Sequence, residues 1–413
     1  MKLQISEPQI VVMGPPCREV GWGPYQFASL YRLTDGRLLY TFNLGLDSIT
    51  NYGHVRGGYV SDDNGKTWTA GYDADYFHLM GVPAGNGETI RLAAQKALPW
   101  SEELQLLGED GEYHPVDPDL TKKQYLIVDD VKHPDFNHGW IFERYGEGAT
   151  VPVVEESKIL PERHLMTFSG EGLLARPFPL INHIRISPID GSLWIADYGI
   201  RRNPETGERD RHFSNNLYRS VDHGRTWELM HYLPFDPKAL PENDPEAHRR
   251  EGWSENDVGW APDGTMFRII RTWGAYYKAG ECRCRASYIT HSTDGGKTWE
   301  APSVFDFCGV MPSVLTLKCG ATLATYGRPG LFLRASFDPS ARRWEEHIEL
   351  IHCDGAPITD VNAVDLVATC AYADLVEIDD HTAGFAYSDF TVKDENGVPH
   401  KCLMYRTVTV VED

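Results

Sequence analysis

The stretch Ser61-Asp-Asp-Asn-Gly-Lys-Thr-Trp68 returns twice along the chain, as Ser220-Val-Asp-His-Gly-Arg-Thr-Trp227 and as Ser292-Thr-Asp-Gly-Gly-Lys-Thr-Trp299. A worn fourth copy, Ser336-Phe-Asp-Pro-Ser-Ala-Arg-Arg-Trp344, retains the Ser, Asp and Trp but lacks the Gly and Thr. The aspartate can accept backbone N–H bonds across a tight turn, and the glycine can adopt positive φ. The pattern therefore predicts a repeated hairpin turn, the box, whose tryptophan packs between neighbouring sheets.

A second type of turn lies upstream of each box, in a strand–turn–strand stretch with a polar turn. The clearest examples are Leu33-Thr-Asp-Gly-Arg-Leu-Leu39, Ile189-Asp-Gly-Ser-Leu-Trp194 and Ala261-Pro-Asp-Gly-Thr-Met-Phe267. Between 25 and 29 residues separate the glycine of each of these turns from the serine of the next box. This spacing predicts modules of roughly 50 residues, each one a four-stranded antiparallel sheet.

Five such modules can be counted, and the boxless stretch 75–178 is long enough to hold a sixth with insertions. Six sheets arranged radially leave only short, protected edges. The predicted fold is therefore all-β, a six-bladed β-propeller of four-stranded antiparallel sheets with Asp-box turns. We expect a single domain over 1–413, with blades that begin near residues 25, 75, 183, 254, 311 and 363.

Composition excludes several classes of protein. The 413 residues include 39 Lys and Arg against 60 Asp and Glu, a net charge of −21, which has the wrong sign for a protein that binds nucleic-acid phosphates. No apolar run approaches the roughly 20 residues of a membrane helix, so a membrane is not an expected partner either. The first 16 residues lack the apolar core of a signal peptide. We therefore expect a cytoplasmic protein, or a secreted one whose leader has been removed.

The sequence lacks the motifs that are typical of cofactor sites. It has no Gly-rich phosphate loop and no G-x-S-x-G elbow, so no cofactor is expected. The eight cysteines form no C-x-x-C pair and are expected to be free, buried thiols. The segment 129–138 (DDVKHPDFNH) contains two His and three Asp, but its spacing fits a solvated loop better than a metal site.

Beside the boxes, the segment Ser254-Glu-Asn-Asp-Val258 resembles a motif of the sialidase (neuraminidase) superfamily. In that superfamily a catalytic glutamate heads the inner strand of a blade, a D-G turn follows, and an arginine lies on the next strand. Glu255 and Arg271 hold these two places, and Asp263-Gly264 forms the turn between them. The resemblance implies that Glu255 is a catalytic base and that Arg271 binds an anionic group of the substrate.

Two further motifs carry the same resemblance. Arg328, in Gly327-Arg-Pro-Gly330, stands eight residues before the serine of the worn box, where sialidases place a substrate-binding arginine. Tyr372, in Cys370-Ala-Tyr-Ala-Asp374, lies on the strand that begins the last blade and resembles the strand of the sialidase nucleophile. A neutral tyrosine avoids repulsion with a substrate carboxylate, and glycosidases with a tyrosine nucleophile are an exception to the two-carboxylate rule.

The first blade departs from the family pattern. Sialidases open it with Phe-Arg-Ile-Pro, whose arginine is the first of three that bind the substrate carboxylate, whereas this chain reads Tyr25-Gln-Phe-Ala28. Gln26 thus stands in the arginine position, and an amide lacks both the charge and the fork geometry of a guanidinium. Arg18 is the upstream candidate to supply the missing charge, so Gln26 and Arg18 are both predicted to lie beside the substrate.

The acid/base residue is the second departure. Sialidases hold this aspartate in the loop before the first box, which here runs from residue 46 to residue 56 (LDSITNYGHVR). Asp47 is the only carboxylate in the loop, and His54 is the only other group that can transfer a proton. Asn51 stands near the aligned position but cannot exchange protons. The prediction is therefore Asp47 as the acid/base and His54 as a substrate-binding residue.

These features predict a retaining exo-glycoside hydrolase of the sialidase type that acts on sialic acid or on a related acidic or unusual sugar. One alternative is a propeller polysaccharide lyase that uses a Tyr/His pair on uronic acids, and another is a carbohydrate-binding propeller without catalysis. A carbohydrate is the expected partner in all three. Trp22, Trp253 and Trp273 lie near the site strands and can either stack on a sugar ring or pack in the core.

Overall fold

The structure is a computed structural model. It describes residues 1–51, 56–100, 124–161, 165–170, 172–180, 183–238, 240, 252–273, 286–306, 308–328, 330–352 and 368–412. Regular structure in these residues is almost entirely β-strand. The exceptions are four 3₁₀ turns, at Cys17–Glu19, Ile49–Asn51, Asp73–Tyr76 and Val128–Asp130. None of the described residues forms a helix long and apolar enough to cross a membrane.

Fifteen strands precede residue 180: β1 (Lys2–Ile5), β2 (Gln9–Pro16), β3 (Ser29–Arg32), β4 (Leu38–Phe42), β5 (Gly57–Ser61), β6 (Thr69–Tyr72), β7 (Val82–Pro83), β8 (Thr89–Leu92), β9 (Leu98–Pro99), β10 (Gln124–Ile127), β11 (Ile141–Tyr145), β12 (Val153–Glu156), β13 (Lys158–Leu160), β14 (Met166–Gly170) and β15 (Leu173–Leu174). Fifteen follow it: β16 (Arg185–Ile186), β17 (Leu193–Gly199), β18 (Ser214–Ser220), β19 (Thr226–Leu233), β20 (Gly252–Trp260), β21 (Met266–Trp273), β22 (Ser287–Ser292), β23 (Ser303–Asp306), β24 (Val310–Thr316), β25 (Thr322–Gly327), β26 (Leu331–Ser336), β27 (Ile348–Ile351), β28 (Asp374–Asp379), β29 (Thr382–Asp389) and β30 (His400–Val411).

Six sheets are the blades of a β-propeller, in agreement with the predicted fold class. Their chain-order meanders are β3–β6, then β7, β8, β11 and β12, then β16–β19, β20–β23, β24–β27, and finally β28–β30 with β1. The first strands of neighbouring blades contact each other, as β20 and β24, β24 and β28, and β28 and β3 do. In blades 4, 5, 6 and 1 the first strands therefore lie side by side, and the loops at their ends converge on one central region.

The second blade is interrupted by a further sheet that the sequence did not predict. This inserted sheet has the strand order β10-β14-β15-β9 and is therefore not a simple meander. Its strands come from two connections, one between β8 and β11 and one between β12 and β16. Its strands are only two to five residues long and carry no repeated turn signal. The insertions expected in 75–178 thus form a sheet of their own beside blade 2.

The boxes form the hairpin turns between the third and fourth strands of blades 1, 3, 4 and 5. In the first box, the Ser61 hydroxyl donates to Asp63 at 2.8 Å and accepts the N–H of Gly65 at 2.7 Å, while Asp63 accepts the N–H of Thr67 at 2.9 Å. In the worn copy Ala341 takes the glycine position with φ of 51°, and Asp338 still accepts the N–H of Arg342 at 3.1 Å. The turn is therefore preserved where the motif has drifted.

Each box tryptophan packs against the preceding blade, as predicted. Trp227 of blade 3 stacks on Phe142 of blade 2, with ring centroids 5.7 Å apart. Trp68 of blade 1 lies 5.2 Å from Tyr405 of blade 6. The last blade is thus a neighbour of the first, and two further features join them. The N-terminal strands β1 and β2 pair with β30, and Asp374 of blade 6 accepts the N–H of Leu30 of blade 1 at 2.9 Å.

The apolar core is divided into clusters that lie between adjacent blades. One cluster joins Leu30 and Tyr40 of blade 1 to Ala386 and Leu403 of blade 6. Comparable clusters lie between blades 2 and 3, 3 and 4, 4 and 5, and 5 and 6. Because burial is spread around the blades, the loops at the centre are free to carry polar side chains.

Candidate active site

Glu255 lies on the innermost strand of blade 4, at a β-bulge. The register of β20 against β21 shifts between Trp253 and Asn256, so Ser254 and Glu255 together oppose a single position of the partner strand. A bulge re-aims the side chain that it carries. Glu255 is buried, and one of its carboxylate oxygens accepts a hydrogen bond from Nη1 of Arg271 on β21.

Tyr372 reaches the same carboxylate from blade 6. Its hydroxyl donates to the other carboxylate oxygen of Glu255 over 2.6 Å. The two residues are 117 positions apart in the chain, and only the circular arrangement of the blades brings them together. The pair is thus the Glu–Tyr combination that the sequence predicted, with Arg271 as the third member.

Arg328 lies next to this pair on the turn between β25 and β26. Its Nη2 donates to the carbonyl of Cys370 at 2.8 Å, two residues before Tyr372. The guanidinium carbon lies 4.9 Å from the Trp22 ring centre and 5.9 Å from the Tyr372 ring centre, which is cation–π range. A Cβ on Gly327 would meet the Cβ of Ala371 at 2.7 Å. The turn can therefore approach the tyrosine this closely only because residue 327 is glycine.

Strained backbone concentrates at this place. Eight described residues other than glycine have clearly positive φ, and three of them belong to box turns. The other five lie in segments that contact Tyr372: Tyr25 (55°), Phe27 (58°), Met311 (42°), Arg328 (54°) and Ala371 (61°). Such conformations cost free energy and persist where the surrounding structure enforces them, which is typical of functional sites.

The electrostatics assign the proton to the tyrosine. Burial, and then the charge of Glu255, raise the pKa of Tyr372 well above its ordinary value. Burial alone would raise the pKa of Glu255. The charge and hydrogen bond of Arg271, together with the hydrogen bond of Tyr372, outweigh burial, and the pKa of Glu255 therefore lies below its ordinary value. At neutral pH the pair is therefore a phenol that donates to a carboxylate. Glu255, Arg271 and Arg328 together carry one net positive charge.

The contribution of blade 1 differs from the sequence-based expectation. Gln26 has no exposed surface, and its side-chain oxygen accepts the N–H of Gly23 at 2.7 Å. The neighbouring Phe27 lies against the site instead, with its ring edge-to-face on Tyr372 at 4.7 Å. Because Tyr25 and Phe27 are both in the left-handed region, the direction of each side chain could not be deduced from the four-residue motif alone.

The segment 21–27, here called the Trp22 loop, is hydrogen-bonded to a buried lysine. Nζ of Lys401, on β30, donates to the carbonyls of Gly21 at 2.6 Å and of Pro24 at 3.0 Å. Burial lowers the pKa of Lys401 to about 8. Sequence reasoning missed this residue, because nothing in the local pattern of an outer strand indicates a contact with the site loop.

The remaining predicted residues lie around the Trp22 loop. Asp47 is exposed, and its backbone N–H donates to the carbonyl of Trp22 at 3.1 Å, so the loop of the predicted acid contacts the Trp22 loop. Arg18 is exposed and follows Cys17, which belongs to the same small cluster as Trp22 and Tyr372. Their roles toward a substrate stay predictions, and His54 lies outside the described residues.

Among the other candidates, Asn51 supports the turn that carries Asp47, since its amide donates to the carbonyl of Leu46 at 2.6 Å. Trp253 packs in the core against Tyr288, and the side chain of Trp273 lies outside the described part. Tyr198 of blade 3 was not predicted. Burial, followed by the charges of Glu255 and Tyr372, raises its pKa well above the ordinary value.

Among the described residues, no three or more His, Cys, Asp or Glu side chains are grouped so that they could hold a metal ion. Of the five described cysteines, Cys17, Cys308, Cys370 and Cys402 are buried and Cys319 is half-buried.

Comparison with known proteins places these features in context. The family model of the BNR/Asp-box repeat matches residues 59–70 and 290–301, which contain the first and third boxes. No curated protein matches the chain in sequence. Among solved structures, a protein of unknown function from Dyadobacter fermentans is 17% identical, with 99% of both chains covered and a TM-score of 0.60. This likeness concerns the fold.

Two enzymes resemble the chain more distantly. An intramolecular trans-sialidase from Ruminococcus gnavus is 13% identical, with 98% of both chains covered and a TM-score of 0.43. An α-L-arabinanase from Penicillium chrysogenum is 12% identical, with 97% of this chain and 98% of that chain covered and a TM-score of 0.46.

Proposed function

We propose that this chain, a six-bladed β-propeller with BNR/Asp-box repeats, is a retaining glycoside hydrolase that acts on an acidic sugar. The observation that carries the proposal is the 2.6 Å hydrogen bond from the Tyr372 hydroxyl to Glu255. A carbohydrate-binding surface has no need of a half-buried tyrosine paired with a carboxylate, whereas a tyrosine nucleophile requires a base within hydrogen-bond reach.

In the first step the Tyr372 oxygen attacks the anomeric carbon and the bond from that carbon to the leaving oxygen breaks. The phenolic proton passes to Glu255, and Asp47 protonates the leaving oxygen. In the second step Asp47 takes a proton from water, which displaces the tyrosine and forms the free sugar. Glu255 then returns the proton to Tyr372. Two displacements at one carbon retain the anomeric configuration.

The charges around the pair favour a substrate with one anionic group. Arg271 is paired with Glu255, so its charge is compensated within the protein. Arg328 donates to a carbonyl, lies beside two aromatic rings and shares the charge of Glu255 with Arg271. One carboxylate between two guanidinium groups leaves one net positive charge beside the nucleophile, and a carboxylate at the anomeric carbon of a sugar would complement it.

The test is hydrolysis of a panel of 4-methylumbelliferyl glycosides that begins with the sialoside and includes uronides and neutral sugars. We expect release from an acidic sugar, with retained configuration by NMR, and a fall of at least about 10³-fold in kcat for Tyr372→Phe. Tyr232→Phe is the matched control, because it removes a tyrosine–carboxylate hydrogen bond, to Asp210, at another place. That control should leave kcat unchanged.

Three results would contradict the proposal in different ways. An unsaturated uronate as product would indicate a lyase. Sugar binding without turnover, unaffected by Tyr372→Phe, would indicate a binding module. Release from neutral sugars alone would leave the nucleophile in place but refute the acidic substrate.

A further inference from the structure

A cavity lies where blade 2 meets the inserted sheet, and neither Glu255 nor Tyr372 lines it. Its volume is about 180 Å³, and most of its lining is apolar, from Leu92, Ala97, Ile141, Ala175 and Phe178. An apolar cavity of roughly 150 Å³ in a protein core is large enough to bind benzene. The cavity therefore has the size and character for a single aromatic ring.

An open, more polar cleft of about 490 Å³ adjoins this cavity. The two share Gln95, Ile141 and Arg176, and the cleft adds Lys96, Asn137 and Glu156 to its lining. Gln95 and Arg176 thus lie at the junction between the apolar cavity and the cleft. A ligand with its ring in the cavity would place its polar end beside these two side chains.

Both junction residues have unused binding capacity. The side-chain oxygen of Gln95 is buried and has no hydrogen-bond partner among the described residues. Within the part of the chain that the structure describes, Arg176 donates only to neutral groups, namely the carbonyls of Lys96 (3.3 Å) and Asp135 (2.7 Å) and the side-chain oxygen of Asn137. A guanidinium without a carboxylate and a buried acceptor without a donor both favour a ligand that supplies the missing groups.

The other charges of the cleft are compatible with an anion. The Glu156 carboxylate already accepts the N–H groups of His138 at 2.8 Å and Gly139 at 2.6 Å and the amide of Asn137 at 3.1 Å. Lys96 is exposed at the edge of the cleft. Arg176, Lys96 and Glu156 together leave one net positive charge, so the attraction is for a monoanion.

We propose that this cavity and cleft form a binding site for a small aromatic acid with a hydroxyl group beside its carboxylate. The ring fills the apolar cavity, the carboxylate pairs with Arg176, and the hydroxyl donates to Gln95. The proposed contacts use neither Glu255 nor Tyr372, so the proposal does not depend on the function proposed above. Part of it comes from the segment 129–138, which supplies the carbonyl of Asp135 and the side chain of Asn137.

Calorimetric titration with three matched probes tests the proposal: mandelate, phenylacetate, which lacks the hydroxyl, and 1-phenyl-1,2-ethanediol, which lacks the carboxylate. We expect mandelate to bind, phenylacetate to bind about five-fold more weakly for the loss of one hydrogen bond, and the diol at least about ten-fold more weakly. Absence of mandelate binding at millimolar concentration would overturn the proposal. Equal binding of mandelate and the diol would also overturn it.

Variants locate the binding on the protein. Arg176→Gln should remove the preference for mandelate over the diol, and Ala97→Leu, which fills the cavity, should weaken all three probes at least ten-fold. Arg37→Gln is the matched control, because Arg37 is a surface arginine in a blade 1 turn paired with Asp35. Circular dichroism and the melting temperature confirm folding of each variant. Unchanged mandelate affinity in both folded variants would place the binding elsewhere and refute the site.

Discussion

The two halves of the candidate active site were predicted from the same family resemblance, but the structure agrees with the prediction in one half and not in the other. Blades 4, 5 and 6 supply Glu255, Arg271, Arg328 and Tyr372, and three of these four are joined by direct hydrogen bonds. Blade 1 supplies the Trp22 loop, where Gln26 is buried and Phe27 contacts the tyrosine. One half therefore agrees with the motif residue by residue, and the other does not.

The difference teaches where a motif determines geometry. Glu255 and Arg271 lie on paired strands, so the register of the sheet fixes their separation. The residues of the Trp22 loop have no such register, and two left-handed residues set the directions of their side chains. The register of paired strands thus makes the relative places of Glu255 and Arg271 predictable, whereas the side-chain directions in the Trp22 loop could not be transferred from the motif.

The largest effect is expected in the half that blades 4, 5 and 6 supply, where the structure agrees with the family motif. Glu255→Gln keeps the shape but removes the base, and we expect kcat to fall by about 10²- to 10⁴-fold. In the unmodified protein the activity should persist to acidic pH and fall only as Glu255 is protonated, because Arg271 holds its pKa below the ordinary value. Initial rates from pH 3 to pH 8 measure both the fall in kcat of Glu255→Gln and the pH dependence of the unmodified protein. An acidic limb near neutral pH would contradict this assignment of the base.

The next largest effect concerns blade 1, where the sequence departs from the family motif. Gln26→Arg restores the residue of the family motif, but the position is fully buried and its oxygen holds the N–H of Gly23. We expect no gain in sialoside hydrolysis and a loss of about 3 kcal/mol in the free energy of unfolding, because the new charge is buried without a carboxylate.

Urea denaturation of Gln26→Arg measures this loss, and Gln26→Met is its matched control. The methionine leaves one buried N–H without a partner, so a smaller loss of about 1 kcal/mol is expected. A stable Gln26→Arg variant with increased sialoside turnover would show that position 26 faces the substrate after all.

The fold was predictable to the level of the blade, and the reason is local chemistry. In the first box the hydrogen bonds of Asp63 and Ser61 all lie within eight residues, so the local sequence is sufficient to predict the turn. The inserted sheet was not predictable, since β9 and β15 are two residues long and their partners come from distant connections. Strands of that length have no measurable periodicity.

The same distinction applies to the site. Tyr372 and Glu255 could be paired from sequence because each stands at a fixed place in its blade, and the propeller brings those places together. The role of Lys401 could not be predicted, because its contacts with Gly21 and Pro24 depend on how the C-terminal strand packs against a loop near the N-terminus. Long-range support of this kind leaves no short motif.

Lys401→Met tests whether that support matters for the Trp22 loop. We expect a rise of a few-fold in KM with a smaller change in kcat, because Trp22 and Phe27 lose their fixed positions while the Glu–Tyr pair is untouched. Steady-state kinetics measure this, and Lys318→Met, at an exposed lysine, is the control. A change in kcat alone would indicate that the lysine acts on the pair instead.

Lys401 also predicts a dependence of stability on pH. Its pKa is lowered to about 8 in the folded protein, chiefly by burial, against about 10.4 for an unfolded lysine. Between these values the unfolded chain binds more protons, so stability rises with pH. The nearby thiols of Cys17 and Cys370 oppose the lowering. The free energy of unfolding of the unmodified protein, relative to Lys401→Met, should therefore increase from pH 8 to pH 10.

The smallest effect comes from the boxes and tests whether the two halves share one scaffold. In blade 1 and blade 4 the hydrogen bonds of Thr67 and Thr298 lower the pKa values of Asp63 and Asp294 to about 2. A depressed carboxyl pKa stabilises the fold above the unfolded value, and that contribution is lost as pH falls from about 4 to about 2. Asp63→Asn and Asp294→Asn should each flatten the fall in melting temperature over this range, by equal amounts, and leave kcat/KM unchanged. A loss of activity in Asp63→Asn alone would mean that the scaffold of blade 1, and not only its loop, differs from that of blade 4.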